Sequence, residues 1–136
     1  MLLALAMIAS LQPDDVKPDC GGNTSEMNAC MAEKLDRAEK RLQTYMEAAI
    51  ERHSDENGKS DSVALGIKAS QSAFEAYRKI ECDAVLEDYI DGTIRGVMTL
   101  SCRLGMTDAR TQTVWGNWLQ YMDDTPPILP EPKPTE

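Results

Sequence analysis

Four cysteines, Cys20, Cys30, Cys82 and Cys102, are the residues of this chain whose types and spacing could do chemistry. No two form a Cys-x-x-Cys pair, and the chain holds one histidine, His53. A zinc site would have to recruit nearly every soft ligand at unusual spacing. An even number of cysteines behind a leader-like start reads instead as two disulfides made in an oxidising compartment. A redox-active pair would need an exposed thiolate of depressed pKa, and no basic or motif-like surroundings support one. Carboxylates are plentiful, but no pair stands in an apolar setting that would raise one pKa for acid–base work. No glycine-rich phosphate loop, nucleophile elbow or metal-binding helix motif occurs. The residues point to a protein without catalytic groups, metal or cofactor.

These side chains must be positioned by helices. Apolar residues Met27, Met31, Leu35, Ala38, Leu42, Tyr45, Met46, Ala49 and Ile50 recur in steps of three and four. That spacing predicts a first helix capped by Thr24 or Ser25 and ending near His53. The polar run from Ser54 to Asp61 contains Asn57-Gly58, a strong turn signal. A second helix is expected from about Ser62 to Tyr89, with Ile67, Phe74, Tyr77, Val85, Leu86 and Tyr89 on its apolar face. Asp91-Gly92-Thr93 should stop it and cap a third, which carries Ile94, Val97, Met98 and Cys102. Gly105 reads as the end of that helix, with Thr107 and Asp108 starting a fourth. Val114, Trp115, Trp118, Leu119 and Met122 form the stripe of the fourth. Prolines 126, 127, 130, 132 and 134 then crowd the end, which predicts an extended, mobile tail. The expected fold is all-α: a small antiparallel bundle of three or four helices with two disulfides and a disordered proline-rich tail. Its divisions are a leader at 1–10, an irregular segment at 11–23, a helical domain at 24–124 and the tail at 125–136.

Helical geometry ranks the three cysteine pairings. In a hairpin turning near Gly92, Cys82 and Cys102 each lie ten residues from the turn, at the same height. Cys20 precedes the first helix and Cys30 sits in its second turn, so a local bridge can form. Cys20–Cys30 with Cys82–Cys102 is favoured, and Cys30–Cys82 is the runner-up.

The other candidates divide between structural and binding roles. Arg78 lies on the half of the second helix that should approach the start of the first, and either pairs with Glu26 or Glu81 as a register-fixing ion pair or binds a ligand. Arg110 carries the same two readings, structural ion pair or ligand anchor. Glu26 and Asn28 should organise the first turn. Trp115 and Trp118 share an apolar stripe, which favours core over an exposed binding anchor. His53 lies near a helix C-terminus, where a cation is favoured. Methionines beyond the leader read as core filler.

The chain has 136 residues and a formal charge of −9. Such a charge disfavours nucleic acid and anionic membranes as partners and admits cationic ones. Leu2 to Ala9 are all apolar, about the length of a signal-peptide core and too short to span a membrane. The basic residues that usually precede such a core are missing. Cleavage near Ala9 and Ser10 would leave one domain of about 125 residues in the periplasm or outside the cell, with no membrane insertion.

Several blocks recur in a known order. The first runs Cys20, then Glu26-Met27-Asn28-Ala29-Cys30. Ala38-Glu39-Lys40-Arg41-Leu42-Gln43 follows, then Gln71-Ser72-Ala73-Phe74-Glu75-Ala76-Tyr77-Arg78-Lys79-Ile80-Glu81-Cys82. The last holds Gly92-Thr93, Cys102, Leu104, Thr107 and Arg110-Thr111. In this order, over about residues 20–119, the chain resembles the LprI-like lysozyme-inhibitor family. That family has Ala-Asp where this chain has Ala38-Glu39, Trp where it has Phe74, and Asp where it has Lys79. The resemblance implies an all-helical, disulfide-containing, exported bacterial protein, and some members are associated with lysozyme inhibition. It marks Glu26, Met27, Asn28, Phe74, Tyr77, Arg78, Gly92, Thr107 and Arg110 as motif residues. The expected function is a non-catalytic binding protein acting on a cationic lysozyme. The alternative is an envelope-maintenance protein that binds another envelope component.

Overall fold

Helix α1, Thr24–Arg52, starts one residue earlier than a Thr24 cap and two earlier than a Ser25 cap would allow, because Asn23 is the cap. Its side chain accepts from the Glu26 amide at 3.1 Å, and the Glu26 carboxylate accepts from the Asn23 amide at 2.8 Å. This reciprocal box satisfies two of the helix's orphan donors, a stabilisation of about 1 kcal/mol. The computed structural model describes residues 19–54 and 61–136. The leader reading, the first part of the irregular segment and the Asn57-Gly58 turn lie outside the described residues.

The predicted stripe of α1 is the one that is buried. Leu35, Ala38, Leu42, Tyr45, Met46 and Ala49 face inward together with Cys30. Helix α2 spans Asp61–Asp88 and buries far less, with Ala64, Ile67 and Cys82 fully enclosed. Phe74, Val85, Leu86 and Tyr89 are half-buried. Tyr77, expected on the inner face, is 58% exposed. The turn through Gly92 leads into α3, Arg95–Val114. Thr93 does not cap it; Ile94 holds the N-cap position without a side-chain bond.

The expected break at Gly105 does not occur, so the described residues form three α-helices where four were allowed. Thr107 turns its hydroxyl back to the Arg103 carbonyl at 2.7 Å, and Thr111 does the same to Thr107 at 3.0 Å. These threonines are satisfied inside a continuous helix rather than at a cap. Gly105 itself is on the solvent side with open space where a Cβ would be. Gly105→Ala should therefore stabilise the protein by roughly 0.5–1 kcal/mol through helix propensity. Gly96 gives the opposite sign, because a Cβ there would lie 2.7 Å from Asn28 Oδ1 on α1. Gly96→Ala should destabilise, and thermal unfolding of the two variants checks both signs.

Contacts between helices give the topology. Arg41 meets Asp108, and Arg52 meets the carbonyl of Trp118, so α1 and α3 run parallel. Cys82 meets Cys102, and Arg78 meets Glu39, so α2 runs against both. The core is built from Leu42, Tyr45, Met46, Ala49, Ile67, Val114 and Leu119. Helix α3 packs closely on α1 and on α2, whereas α1 and α2 touch little and leave a cleft between them. Both favoured disulfides are present, with Cα atoms 5.3 Å apart in Cys20–Cys30 and 5.7 Å apart in Cys82–Cys102.

A π-helical turn, Trp115–Leu119, extends α3 and tucks Leu119 into the core. Trp115 and Trp118 pack against that core, as the stripe predicted, but Met122 lies beyond the π-helical turn and is fully exposed. His53 ends α1 and meets the Trp118 ring edge-on, with centroids 5.4 Å apart. Arg52 closes this end of the bundle by donating to the carbonyls of Trp118 and Gln120.

The proline-rich tail is extended, as expected, but it is not free of the bundle. Ile128 N–H bonds Leu119 O, Trp115 Nε1 donates to Leu129 O, and Tyr45 Oη donates to Pro130 O at 2.6 Å. Leu129 joins the core. Farther along, Thr135 is held by Arg41 and Asp108, and Arg37 reaches the Glu136 carbonyl. Composition hides this because many of the docking groups are backbone carbonyls and amides, and prolines retain their carbonyls.

Burial holds the Tyr45 hydroxyl above its usual pKa of 10.0, partly offset by the charge of Arg41. A raised folded-state pKa gives stability that is complete below about pH 10 and is lost as pH climbs through the folded value. Tyr45→Phe should flatten that alkaline loss at a cost of about 1 kcal/mol near neutrality. Urea unfolding between neutral and strongly alkaline pH checks it.

Candidate functional site

The motif residues of α2 and α3 converge on one cluster where the three helices meet. Arg78 is its centre. Its Nη1 lies 2.7 Å from Thr107 Oγ1 and 3.0 Å from Glu39 Oε1. The expected partners Glu26 and Glu81 are not used. Glu26 is committed to the α1 cap, and Glu81 falls on the exposed side of α2. The pair ties all three helices together: Arg78 from α2, Glu39 from α1 and Thr107 from α3. Side-chain exposures of 19% for Arg78 and 46% for Glu39 make it a partly shielded ion pair. It fixes register more than it adds stability.

Phe74 is flanked by two guanidinium groups. Arg78 Cζ stands 5.7 Å from the ring centroid and Arg110 Cζ stands 5.6 Å from it. Both distances fall within cation–π range. Arg110 Nε donates to Gln71 Oε1 at 3.1 Å and Nη2 to Ser70 Oγ at 3.0 Å. Gln71 in turn donates to Glu75. Burial lowers the Arg110 pKa from its ordinary value. The cluster borders two openings. One, of about 370 Å³, lies between α1 and α2, with Leu42 and Met46 beneath Glu39, Gln43 and Glu75. The other, of about 380 Å³, lies between α2 and α3 beside Tyr77, Met106 and Arg110.

The remaining motif residues serve elsewhere. Glu26 caps α1, and Asn28 packs its amide against Gly96. Met27 is half-buried near the same end. Gly92 makes the α2–α3 turn, donating to Tyr89 O at 2.9 Å. Lys79, which stands where the family has Asp, points to solvent and pairs with Asp83 one turn on. The central network is therefore untouched by that difference. Met106 lies 3.7 Å from Cys82 Sγ and 4.0 Å from Cys102 Sγ, sulfur packed on the disulfide.

Sequence reasoning missed Glu39, Asn23, Gly96 and the Arg41–Asp108 pair. Glu39 had a signal: it occupies the carboxylate position of the Ala-Asp block. Among the described residues no group of His, Cys, Asp and Glu is arranged to hold a metal ion. No described helix is long and apolar enough to cross a membrane.

The order of blocks along the chain matches a family model described as lysozyme inhibitor LprI, over residues 18–114. That span is most of the chain. The protein belongs to the LprI lysozyme-inhibitor family. No curated protein and no solved structure matches it. The LprI match ends at the last residue of α3, so the π-helical turn and the docked tail lie beyond it. Within the LprI span fall both disulfides, the α1 cap and the Arg78–Glu39–Thr107 junction.

Proposed function

We propose that this LprI-family protein is an exported, non-catalytic binding protein that inhibits a cationic lysozyme. The family match carries the reading. Two physical features support it. The formal charge of −9 favours a cationic partner and raises its encounter rate. Much of that charge is left unneutralised by nearby cations. Glu47 and Glu75, on α1 and α2, are each held by a glutamine rather than by a lysine or arginine. The two disulfides suit an oxidising compartment beyond the inner membrane, where a lysozyme would be met.

Calorimetry with a cationic lysozyme tests the binding half of this reading. Binding is expected at low ionic strength, and its affinity should fall as added salt shortens the Debye length from about 30 Å at 0.01 M to about 8 Å at 0.15 M. Absence of heat at low salt, at concentrations where either protein alone is soluble, would contradict it.

A further inference from the structure

We propose that the groove between α2 and α3 binds a small amphiphilic carboxylate, with Arg110 holding the carboxylate and the Tyr77–Met106 wall holding the apolar body. The two arginines that flank Phe74 differ in one respect. Arg78 is neutralised by Glu39 at 3.0 Å, whereas Arg110 has no carboxylate of the described residues within ion-pair distance. Its two acceptors, Ser70 Oγ and Gln71 Oε1, are both neutral. A guanidinium has five N–H donors, so the two bonds leave donors for an incoming anion. Burial already disfavours the charged form at this position. An anion would restore the balance that Glu39 provides for Arg78.

The groove beside Arg110 has the size and character of a small-ligand site. Its volume of about 380 Å³ is near the lower end of such pockets. Phe74, Tyr77, Met106 and Ala109 make it largely apolar, and Thr113 adds a hydroxyl. The apolar surface continues outward. Tyr77 is 58% exposed, and Ile80, its neighbour on the same helical face, is 71% exposed. Exposed Ala73 and Ala76 flank them without charge. A body longer than the groove, such as an aliphatic chain, would lie along this wall. A monoanion fits better than a phosphate dianion, because one unneutralised guanidinium faces the groove and the chain carries −9 overall. The planar fork of arginine matches the two oxygens of a carboxylate. The proposal does not depend on lysozyme binding, which calls for a partner of opposite charge.

The test titrates the full chain with decanoate below its micelle concentration, followed by amide chemical shifts and calorimetry. Decanol and decyltrimethylammonium serve as the neutral and cationic counterparts. Decanoate should saturate, shifting the amides of Tyr77, Ala109 and Thr113. Decanol should bind roughly tenfold more weakly, and the ammonium more weakly still. Arg110→Gln should weaken decanoate about tenfold or more, with Arg110→Lys between the two. Tyr77→Ala, at an exposed position where folding is not in question, should weaken it severalfold. Equal affinity for decanoate and decanol, an unchanged affinity in folded Arg110→Gln, shifts confined to the α1–α2 cleft, or no saturation would each overturn the proposal.

Discussion

Replacing Cys82 and Cys102 together by alanine is expected to lower the stability of the folded chain by about 3 kcal/mol. The bridge closes a loop across 20 residues of sequence, and in the chain-entropy model that constraint on the unfolded state is the main stabilising effect. The bridge also joins α2 to α3 where α2 has little else to hold it. Helix α2 fully buries Ala64 and Ile67 near its start, and Cys82 is the enclosed residue of its second half. Cys82 is 0% exposed, so alanine there removes packed sulfur as well as the link. Cys82→Ala alone should lose about as much as the double change, since either breaks the same bridge. Urea unfolding of oxidised wild type and both variants measures this. A loss below about 1 kcal/mol would mean that packing alone fixes the second half of α2.

Asp108→Ala should cost about 2–3 kcal/mol and release the end of the tail. The Asp108 carboxylate accepts from Arg41 Nη2 at 2.6 Å, from the Thr135 amide at 2.8 Å and from the Thr135 hydroxyl at 2.8 Å. Its side chain is 17% exposed and that of Arg41 is 27% exposed. Removing one partner of a fully buried pair costs about 3–5 kcal/mol, and partial exposure reduces that here. Arg41 would be left partly buried and unmatched, with the Thr135 hydroxyl as its remaining partner. Asp108→Asn keeps the shape and should lose less. The distinguishing readout is hydrogen exchange. The Thr135 amide should exchange faster in Asp108→Ala, while the Ile128 amide, bonded to Leu119 O, keeps its protection. Unchanged exchange at Thr135 together with a stability change under about 0.5 kcal/mol would show that the tail is held elsewhere.

What could be read from the sequence was what repeats or counts. The α1 stripe was legible because a 29-residue helix samples its buried face many times over. The Cys82–Cys102 pairing was legible because both residues sit equally far from the Gly92 turn. The Gly105 break misled because glycine followed by Thr107-Asp108 has the local chemistry of a stop and a fresh cap. Tertiary partners took those side chains instead, Arg78 for Thr107 and Arg41 for Asp108. Tyr77 misled because helix periodicity places a face without saying how much of it a neighbour covers, and the groove between α2 and α3 leaves its ring exposed. Of the candidate site, Phe74, Arg78, Thr107 and Arg110 were named from sequence. Their convergence was not readable, since Arg78 and Glu39 are joined by the path of the chain rather than by any local rule. The docked tail was the least legible element, because many of its contacts use backbone carbonyls and amides, which carry no sequence signal.

We propose that this LprI-family protein holds a cationic lysozyme in an inactive complex. The most direct test follows the clearing of a suspension of bacterial cell walls by such an enzyme, with purified oxidised protein added in increasing ratio. Lysis should slow progressively as the protein reaches and passes equimolar amounts, and recover when salt is raised. Undiminished lysis at large molar excess and low salt, with both disulfides verified intact by peptide mapping, would contradict it.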